Sequence, residues 1–186
     1  MASSRGSGDF ALIGMAESDV GIVPDKSPRE LCVQVTLDAV RDAGLTLREV
    51  DGLITCNAFA EPIMYHAEAV AEYLGWQPRH CVTVNTGGGT TFMALNMAAA
   101  AIAAGMADTI VVAMADSLRS FMTREQAMVV QSSSGHPHYE QPYGPTVPAY
   151  YALIARAHMH QYGTTCLLYT SPSPRDVEES RMPSSA

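Results

Sequence analysis

The chain has 186 residues, of which 47 % are apolar, 16 % charged and 7 % aromatic, a profile that excludes a disordered or fibrous polypeptide and suits a compact domain. Its formal charge of −8, with Lys26 the single lysine, leaves no basic surface to neutralise a phosphate backbone, so nucleic acid is not an expected partner. Four widely spaced cysteines, Cys32, Cys56, Cys81 and Cys166, form no CxxC pair, which argues against a zinc ribbon or a secreted disulfide scaffold and for a reducing cytoplasm.

Residues 1–8 are Ser/Gly-rich without an apolar signal core and are expected to be disordered. Phe10 to Met15 is a short apolar run ending near Gly14 and reads as a buried first strand. Ser27-Pro28-Arg29-Glu30 has the spacing of a capping box with proline at the first helical position, and Leu31, Val35, Ala39, Val40 and Ala43 follow at helical intervals before Gly44. Val50 to Thr55 reads as a second strand. A loop with Pro62 then leads to a helix carrying His66, Val70, Tyr73 and Leu74, stopped by Gly75.

His80 to Asn85 reads as a third strand, Thr86 to Gly89 as a glycine-rich turn, and Thr90 to Ala104 as an alanine-rich helix stopped by Gly105. Alanine on all sides predicts close packing on more than one face of that helix. Thr109 to Ala115 is apolar without alternation, as in a parallel strand covered on both sides. Strands alternating with helices predict an α/β layered sheet. Asp116 to Val147, rich in Ser, His, Pro, Tyr and Gly, reads as a long loop, and a last helix runs from about Pro148 to Tyr162 before Gly163. The longest apolar stretch, Phe92 to Ala104, is interrupted by Asn96 and too short to cross a bilayer, so a soluble protein with no membrane span is expected.

Eight of the residues from Cys166 to Ala186 are Ser or Pro, with no period of either kind. The string CLLYTSPSPRD resembles an in-frame translation of a sequencing-library adapter. Residues 166–186 are therefore expected to be a non-native disordered tail, leaving 9–165 as the folded domain.

Two features could carry chemistry. Gly87-Gly88-Gly89 before Thr90 is either a tight turn where strand and helix approach closely, or cleared space beside helix N–H groups where a carbonyl oxygen could be received as at an oxyanion site. It matches neither a P-loop nor a GxGxxG dinucleotide turn. His136 and His138, beside Tyr139 and Tyr143, are candidate substrate-binding residues whose loop could serve proton transfer or bind a metal, although solvated loop histidines are the plainer reading. His158 and His160 lie two apart on a helix and cannot form an i, i+4 metal pair, so no metal site is expected.

The segment VNTGGGTTFMALNMAAAAIAAGMADTIVVAMAD, Val84 to Asp116, resembles the strand, turn, helix and strand of the thiolase superfamily. The likeness is greatest to its sterol-carrier-protein-type, lipid-transfer-protein-like branch. ALIGMAESDVG, SPRELCVQVTLDAVRDAGLTLREVDGLIT and GPTVPAYYALIARAHMHQYGTT match in the same order, so the resemblance covers nearly all of Phe10 to Thr165. It implies the N-terminal part of an αβαβα layered fold of two similar halves, with a mostly parallel sheet carrying helices on both faces. It also implies a homodimer, coenzyme A as the handle of the substrate rather than a tightly bound cofactor, and catalytic histidine and cysteine motifs in a second half. The chain by itself is then expected to be inactive.

In thiolases this turn carries the nucleophilic cysteine. Counting back from Gly105 places Gly88 at that position, and neither Cys56 nor Cys81 can take it without shifting the register. The resemblance thus implies no catalytic residue in this part and a thioester-binding corner at Gly87, Gly88, Gly89 and Thr90, in a corner carrying no sulfur. Relatives without the cysteine include retro-aldol lyases of steroid side-chain breakdown that work with a zinc-ribbon/OB-fold partner protein. The implied activity is making or breaking a carbon–carbon bond on an acyl-CoA thioester. The alternative is a non-catalytic acyl-CoA or lipid-carrier subunit.

Overall fold

The computed structural model describes residues 10–133 and 135–167. The disordered segments expected at residues 1–8 and over most of 166–186 lie outside them. The chain divides into two compact units, Met1–Ala127 and Met128–Ala186.

The first unit is a parallel sheet between helices. β1 (Gly52–Thr55) is central, with β2 (His80–Thr83) on one side and β3 (Ile110–Ala113) on the other. Leu53 faces Cys81 on β2 and Val111 on β3 in register, and Ile54 faces Val82 and Val112. All four β1 residues are buried, which suits a strand covered on both faces. Leu53 packs with Cys32 and Val35 of α1 (Pro28–Asp42) and with Ala67, Val70 and Ala71 of α2 (His66–Tyr73). Ile54 points the other way, against Ala94 and Ala98 of α3 (Thr90–Ala103). Each of these two side chains is fully buried, worth about 1.5–3 kcal/mol in water-excluded apolar surface.

The local signals explain the helices. The Ser27 hydroxyl accepts from the Glu30 N–H at 3.2 Å and the Glu30 carboxylate accepts from the Ser27 N–H at 2.8 Å, closing the capping box at the start of α1. Arg29 is held by Glu61 at 2.7 Å and lies 4.8 Å from the centre of the Tyr73 ring, tying α1 to α2 and the loop before it. The glycines after α1, α2 and α3 adopt left-handed φ of 70°, 60° and 70° at Gly44, Gly75 and Gly105, the conformation that ends a helix at least cost. Asp51 clamps the strand starts: its carboxylate accepts from the N–H groups of Asp108 and Thr109, both at 2.9 Å, and from Arg79 at 2.8 Å.

Three sequence expectations are corrected. Phe10 to Met15 forms no strand. It is largely exposed, with Leu12 and Ile13 at 83 % and 58 % exposure. A strand needs a partner edge, and this segment is instead pinned to α1: the Met15 N–H donates to Asp42 at 2.9 Å, and a Cβ on Gly14 would come within 2.4 Å of the Ala39 carbonyl oxygen. The alanine-rich α3 is packed on one face only, through Thr90, Ala94, Ala98 and Ala101, while Phe92 is 74 % exposed. The long loop from Asp116 contains helical turns: α4 (Leu118–Phe121) and α5 (Arg124–Ser132), then a single 3-10 turn at Gln141–Tyr143. A reciprocal cap of Thr123 and Gln126, with bonds of 2.9 and 3.2 Å, starts α5.

The second unit holds the end of α5, the His136 loop and α6 (Val147–Tyr162), which stops at Gly163 with φ of 67° as expected. No helix among the described residues is long and apolar enough to cross a membrane.

Candidate functional site

The glycine-rich turn connects β2 to α3 at the carboxyl end of the sheet, where ligands of open α/β sheets are commonly received. Val84 is the last sheet-tied residue, its N–H donating to the Thr55 carbonyl at 2.8 Å. Thr90 then builds the corner. Its hydroxyl donates to the Gly87 carbonyl at 2.6 Å and accepts from the Thr86 N–H at 2.9 Å. The Asn85 side chain accepts from the Gly87 N–H at 3.3 Å.

The three glycines are not equivalent. Gly87 needs its residue type, with φ of 67° in the left-handed region. Gly88 and Gly89 do not: neither has a positive φ, and a Cβ built on either meets nothing within 4 Å. Gly87 thus serves a tight turn through its left-handed φ, and none of the three glycines marks a close approach, since a Cβ on Gly87 also meets nothing within 4 Å. What glycine leaves at 88 and 89 is space. No side chain caps α3 at Gly89, and the first N–H groups of a helix have no intrahelical partner. Gly87, Gly88 and Gly89 are exposed while Thr90 is buried; the Gly87 N–H is taken by the Asn85 side chain at 3.3 Å and the Thr90 N–H by the Gly87 carbonyl at 3.1 Å, which leaves Gly88 and Gly89 as the exposed residues whose N–H groups could receive a ligand. A carbonyl or enolate oxygen is the kind of group such donors receive.

A thiol does lie beside this corner, which the sequence reading left without sulfur. Cys56 follows β1, its side chain half-buried; burial pushes its thiol above the ordinary range, against a smaller opposing effect of the neighbouring Thr90 hydroxyl, while the Asp116 carboxylate adds to the rise. The thiol donates to the Asn57 carbonyl at 3.5 Å. Sulfur thus reaches the base of the corner from β1 in its protonated form, and the turn itself carries none. Burial also pushes Cys32 to about 12 and Cys81 to about 11. None of the three is a thiolate at neutral pH.

Other groups gather at the same end of the sheet that the sequence does not single out. His66 is fully buried, with Nδ1 3.0 Å from the Thr55 hydroxyl and Nε2 without a protein partner. Burial holds its pKa below the usual imidazole value, and Arg29 adds to this against the carboxylate of Glu61. The Asp116 carboxylate, just past β3, accepts from the N–H groups of Phe59 at 2.6 Å and Ser117 at 2.8 Å, fastening the loop after β1 to the loop after β3. The residues at 55, 66 and 116 are far apart in the chain, and no spacing rule would join them.

His136 and His138 lie in the second unit, exposed, with ring centres 5.9 Å apart. The Nδ1 of His136 accepts from the His138 N–H at 3.2 Å, the Glu140 carboxylate accepts from the His136 N–H, and the Tyr139 ring stacks at 4.8 Å. This is a self-contained turn with solvated imidazoles. Among the described residues no group of His, Cys, Asp or Glu could hold a metal ion. His158 packs on α6, with Nδ1 2.9 Å from the Thr164 hydroxyl and its ring 4.7 Å from Tyr162.

No family model matches the chain. Curated proteins do. An acetyl-CoA acetyltransferase of Methanothermobacter thermautotrophicus is 27 % identical over 160 residues, covering 84 % of this chain and 41 % of that protein. A 17-hydroxy-3-oxo-4-pregnene-20-carboxyl-CoA lyase of Mycobacterium tuberculosis is 31 % identical over 167 residues, covering 86 % of this chain and 42 % of the lyase. Among solved structures, an Ltp2-ChsH2(DUF35) aldolase superposes with a TM-score of 0.57 at 29 % identity, over 76 % of this chain and 35 % of that one. The chain spans about two fifths of the length of the curated relatives it matches. In sequence and in its three-stranded parallel sheet with helices, the chain is thiolase-like, similar to archaeal acetyl-CoA acetyltransferases and to steroid side-chain aldolases over part of their length.

Proposed function

We propose that this chain is the N-terminal part of a thiolase-like protein that acts on an acyl-CoA thioester, with aldol-type carbon–carbon cleavage favoured over thiolysis. The observation that carries the reading is the corner at Gly87, Gly88, Gly89 and Thr90: exposed backbone at the three glycines, space at 88 and 89 before a helix start without a side-chain cap, and no thiol on the turn. Thiolysis through a covalent acyl-enzyme needs an activated nucleophile, and burial pushes the Cys56 thiol up, the direction opposite to activation. Retro-aldol cleavage needs none on this turn. A base removes the proton from the β-hydroxyl, the Cα–Cβ bond breaks, the carbonyl product departs, and the electron pair passes to the thioester as an enolate that takes a proton at Cα. The thioester oxygen gains charge in that step, and N–H donors at the start of α3 would stabilise it. The base and the acid belong, on this reading, to residues outside the chain. Coenzyme A enters as part of the substrate, a homodimer is the expected assembly, and a partner protein, for which we propose a zinc-ribbon/OB type, is suggested by the similar Ltp2-ChsH2(DUF35) aldolase.

The test is to extend the chain past Thr165 with the downstream sequence of its own gene and to assay three things: cleavage of a β-hydroxyacyl-CoA, coenzyme A-dependent thiolysis of a β-ketoacyl-CoA, and binding of acyl-CoA. Aldol cleavage without thiolysis is expected. Thiolysis would overturn the assignment, and tight acyl-CoA binding with no turnover of either substrate would make the protein a carrier.

A further inference from the structure

Among the described residues, six buried side-chain nitrogen or oxygen atoms have no hydrogen-bond partner, and four of them, Arg29 Nε, Asn57 Oδ1, His66 Nε2 and Ser117 Oγ, fall at one end of one layer. Leu53 and Ala113 point to the face of the sheet covered by α1 and α2, where Ala115 also packs. The two-residue period that carries them there carries Thr55 and Asn57 along β1, and Ser117 beyond β3, to the same face. His66 opens α2 at that end, with its other ring nitrogen on Thr55. Arg29, in the first turn of α1, is drawn to it by Glu61, whose carboxylate accepts from its Nη2 at 2.7 Å and its backbone N–H at 3.2 Å.

The place is closed. His66 is fully buried and Ser117 is 6 % exposed. Asp116 fastens the loop after β1 over it by accepting from the N–H groups of Phe59 and Ala60, at 2.6 and 3.3 Å. Buried polar groups without partners are costly, so four gathered at one end call for an occupant.

The chemistry of the four atoms selects it. Arg29 Nε only donates and Asn57 Oδ1 only accepts, whereas Ser117 Oγ does both and the Nε2 of a neutral His66 does either, according to its tautomer. Burial keeps the His66 ring neutral by holding its pKa below the usual value, against the carboxylates of Glu61 and Asp116. A cation would meet the Arg29 guanidinium, and an anion would meet those two carboxylates. A small neutral molecule that both donates and accepts fits the set, and water is that molecule.

We propose that this end of the layer is an internal hydration site: ordered water held by His66 Nε2, Ser117 Oγ, Asn57 Oδ1 and Arg29 Nε joins the starts of α1 and α2 to the loops that follow β1 and β3. An internal water makes about three hydrogen bonds, so about one or two molecules satisfy the four groups. α3 and its glycine corner lie on the other face of the sheet, so the site is separate from the corner and independent of the reaction proposed for it.

The test uses the full 186-residue chain in solution, with water itself as the probe. His66 Hδ2 is the ring proton beside Nε2, and it should give a nuclear Overhauser cross-peak at the water frequency with the sign of a molecule tumbling with the protein. Relaxation dispersion of the water oxygen, which hydroxyl protons do not mimic, should lose the amplitude of about one long-lived molecule or more in the double variant of Asn57→Leu with Ser117→Ala. Absence of the cross-peak in the wild type overturns the proposal. An oxygen dispersion unchanged in the double variant also overturns it, by making the cross-peak a relay through a hydroxyl proton. If the double variant does not fold, Ser117→Ala alone decides: the cross-peak should lose about half of its intensity or more, and a smaller loss places the water elsewhere and overturns the proposal. Loss of the wild-type cross-peak on adding sodium chloride or phosphate overturns it as well, by making the occupant an ion.

Discussion

Gly88→Cys is the most direct perturbation of the proposed corner. The site accepts a side chain: Gly88 lacks a positive φ and a Cβ there meets nothing within 4 Å. Losing the unfolded-state freedom of glycine should leave stability unchanged or raised by about 0.4–1 kcal/mol. The new thiol would sit one residue before the Gly89 cap of α3, where a helix N-terminus stabilises an anion by about 0.3–1 kcal/mol. Divided by 1.36 kcal/mol per unit, that lowers its pKa by roughly 0.2–0.7 from the ordinary 8.5. Being exposed, it has no burial penalty to set against this gain. The assay is the pH profile of iodoacetamide alkylation in a Cys166→Ser background, since Cys166 is the exposed cysteine already in the chain. Cys32 and Cys81, pushed to about 12 and about 11, stay silent below pH 9. An apparent pKa near 8 is expected. A value at or above 8.5 would show that the helix N–H groups do not face position 88, and the oxyanion reading would go with it. A variant that fails to fold would show that the turn is tighter than its geometry indicates.

The remaining predictions concern the scaffold and its pH response. Gly52→Ala should cost about 1–3 kcal/mol by overpacking, because the new Cβ would lie 2.6 Å from Ile110 Cγ1; urea melts of the double variant with Ile110→Ala should recover part of the loss. Asp51→Ala should lower stability by about 1–2 kcal/mol by freeing the N–H groups of Asp108 and Thr109. Burial alone would raise the pKa of Asp51, but those N–H groups and Arg79 outweigh it and hold it below the usual value. Its contribution is therefore present above the unfolded pKa near 4 and lost as pH falls through the folded value, so the gap between wild type and Asp51→Ala should close in acid. His66 has a depressed pKa as well, so the unfolded chain binds the extra proton first. Stability should fall below about pH 6.5 with a slope of at most about 1.4 kcal/mol per unit. Thermal melts of His66→Asn should show that slope removed, and an unchanged slope would assign it to another group.

The elements readable from sequence were those specified by neighbours in the chain. The start of α1 is written in four consecutive residues, and Gly44, Gly75, Gly105 and Gly163 all stop helices by a φ that only local geometry demands. β1, β2 and β3 showed as apolar runs, although each is shorter than its run by a residue or more. Phe10 to Met15 failed by the same rule: an apolar run has the composition of a strand, but whether it pairs depends on an edge about a hundred residues away. α5 was readable and missed, since Thr123 and Gln126 carry the same cap spacing as Ser27 and Glu30. The approach of Cys56 to Thr90 and the bond between His66 and Thr55 are tertiary and leave no period.

The turn itself shows the division most sharply. A run of Gly-Gly-Gly announces a special corner, but the sequence alone cannot say whether the backbone or a visitor requires it. The structure separates these: Gly87 serves the fold through its left-handed φ, whereas residues 88 and 89 have ordinary backbones and nothing nearby. Alanine or serine would fold there equally well by local geometry. Glycine at such a position costs backbone entropy without a packing return, so its use has to be sought in what approaches from outside. On the function proposed above, that visitor is the thioester oxygen, which gains negative charge as the carbon–carbon bond breaks and would be received by N–H groups at the start of the helix.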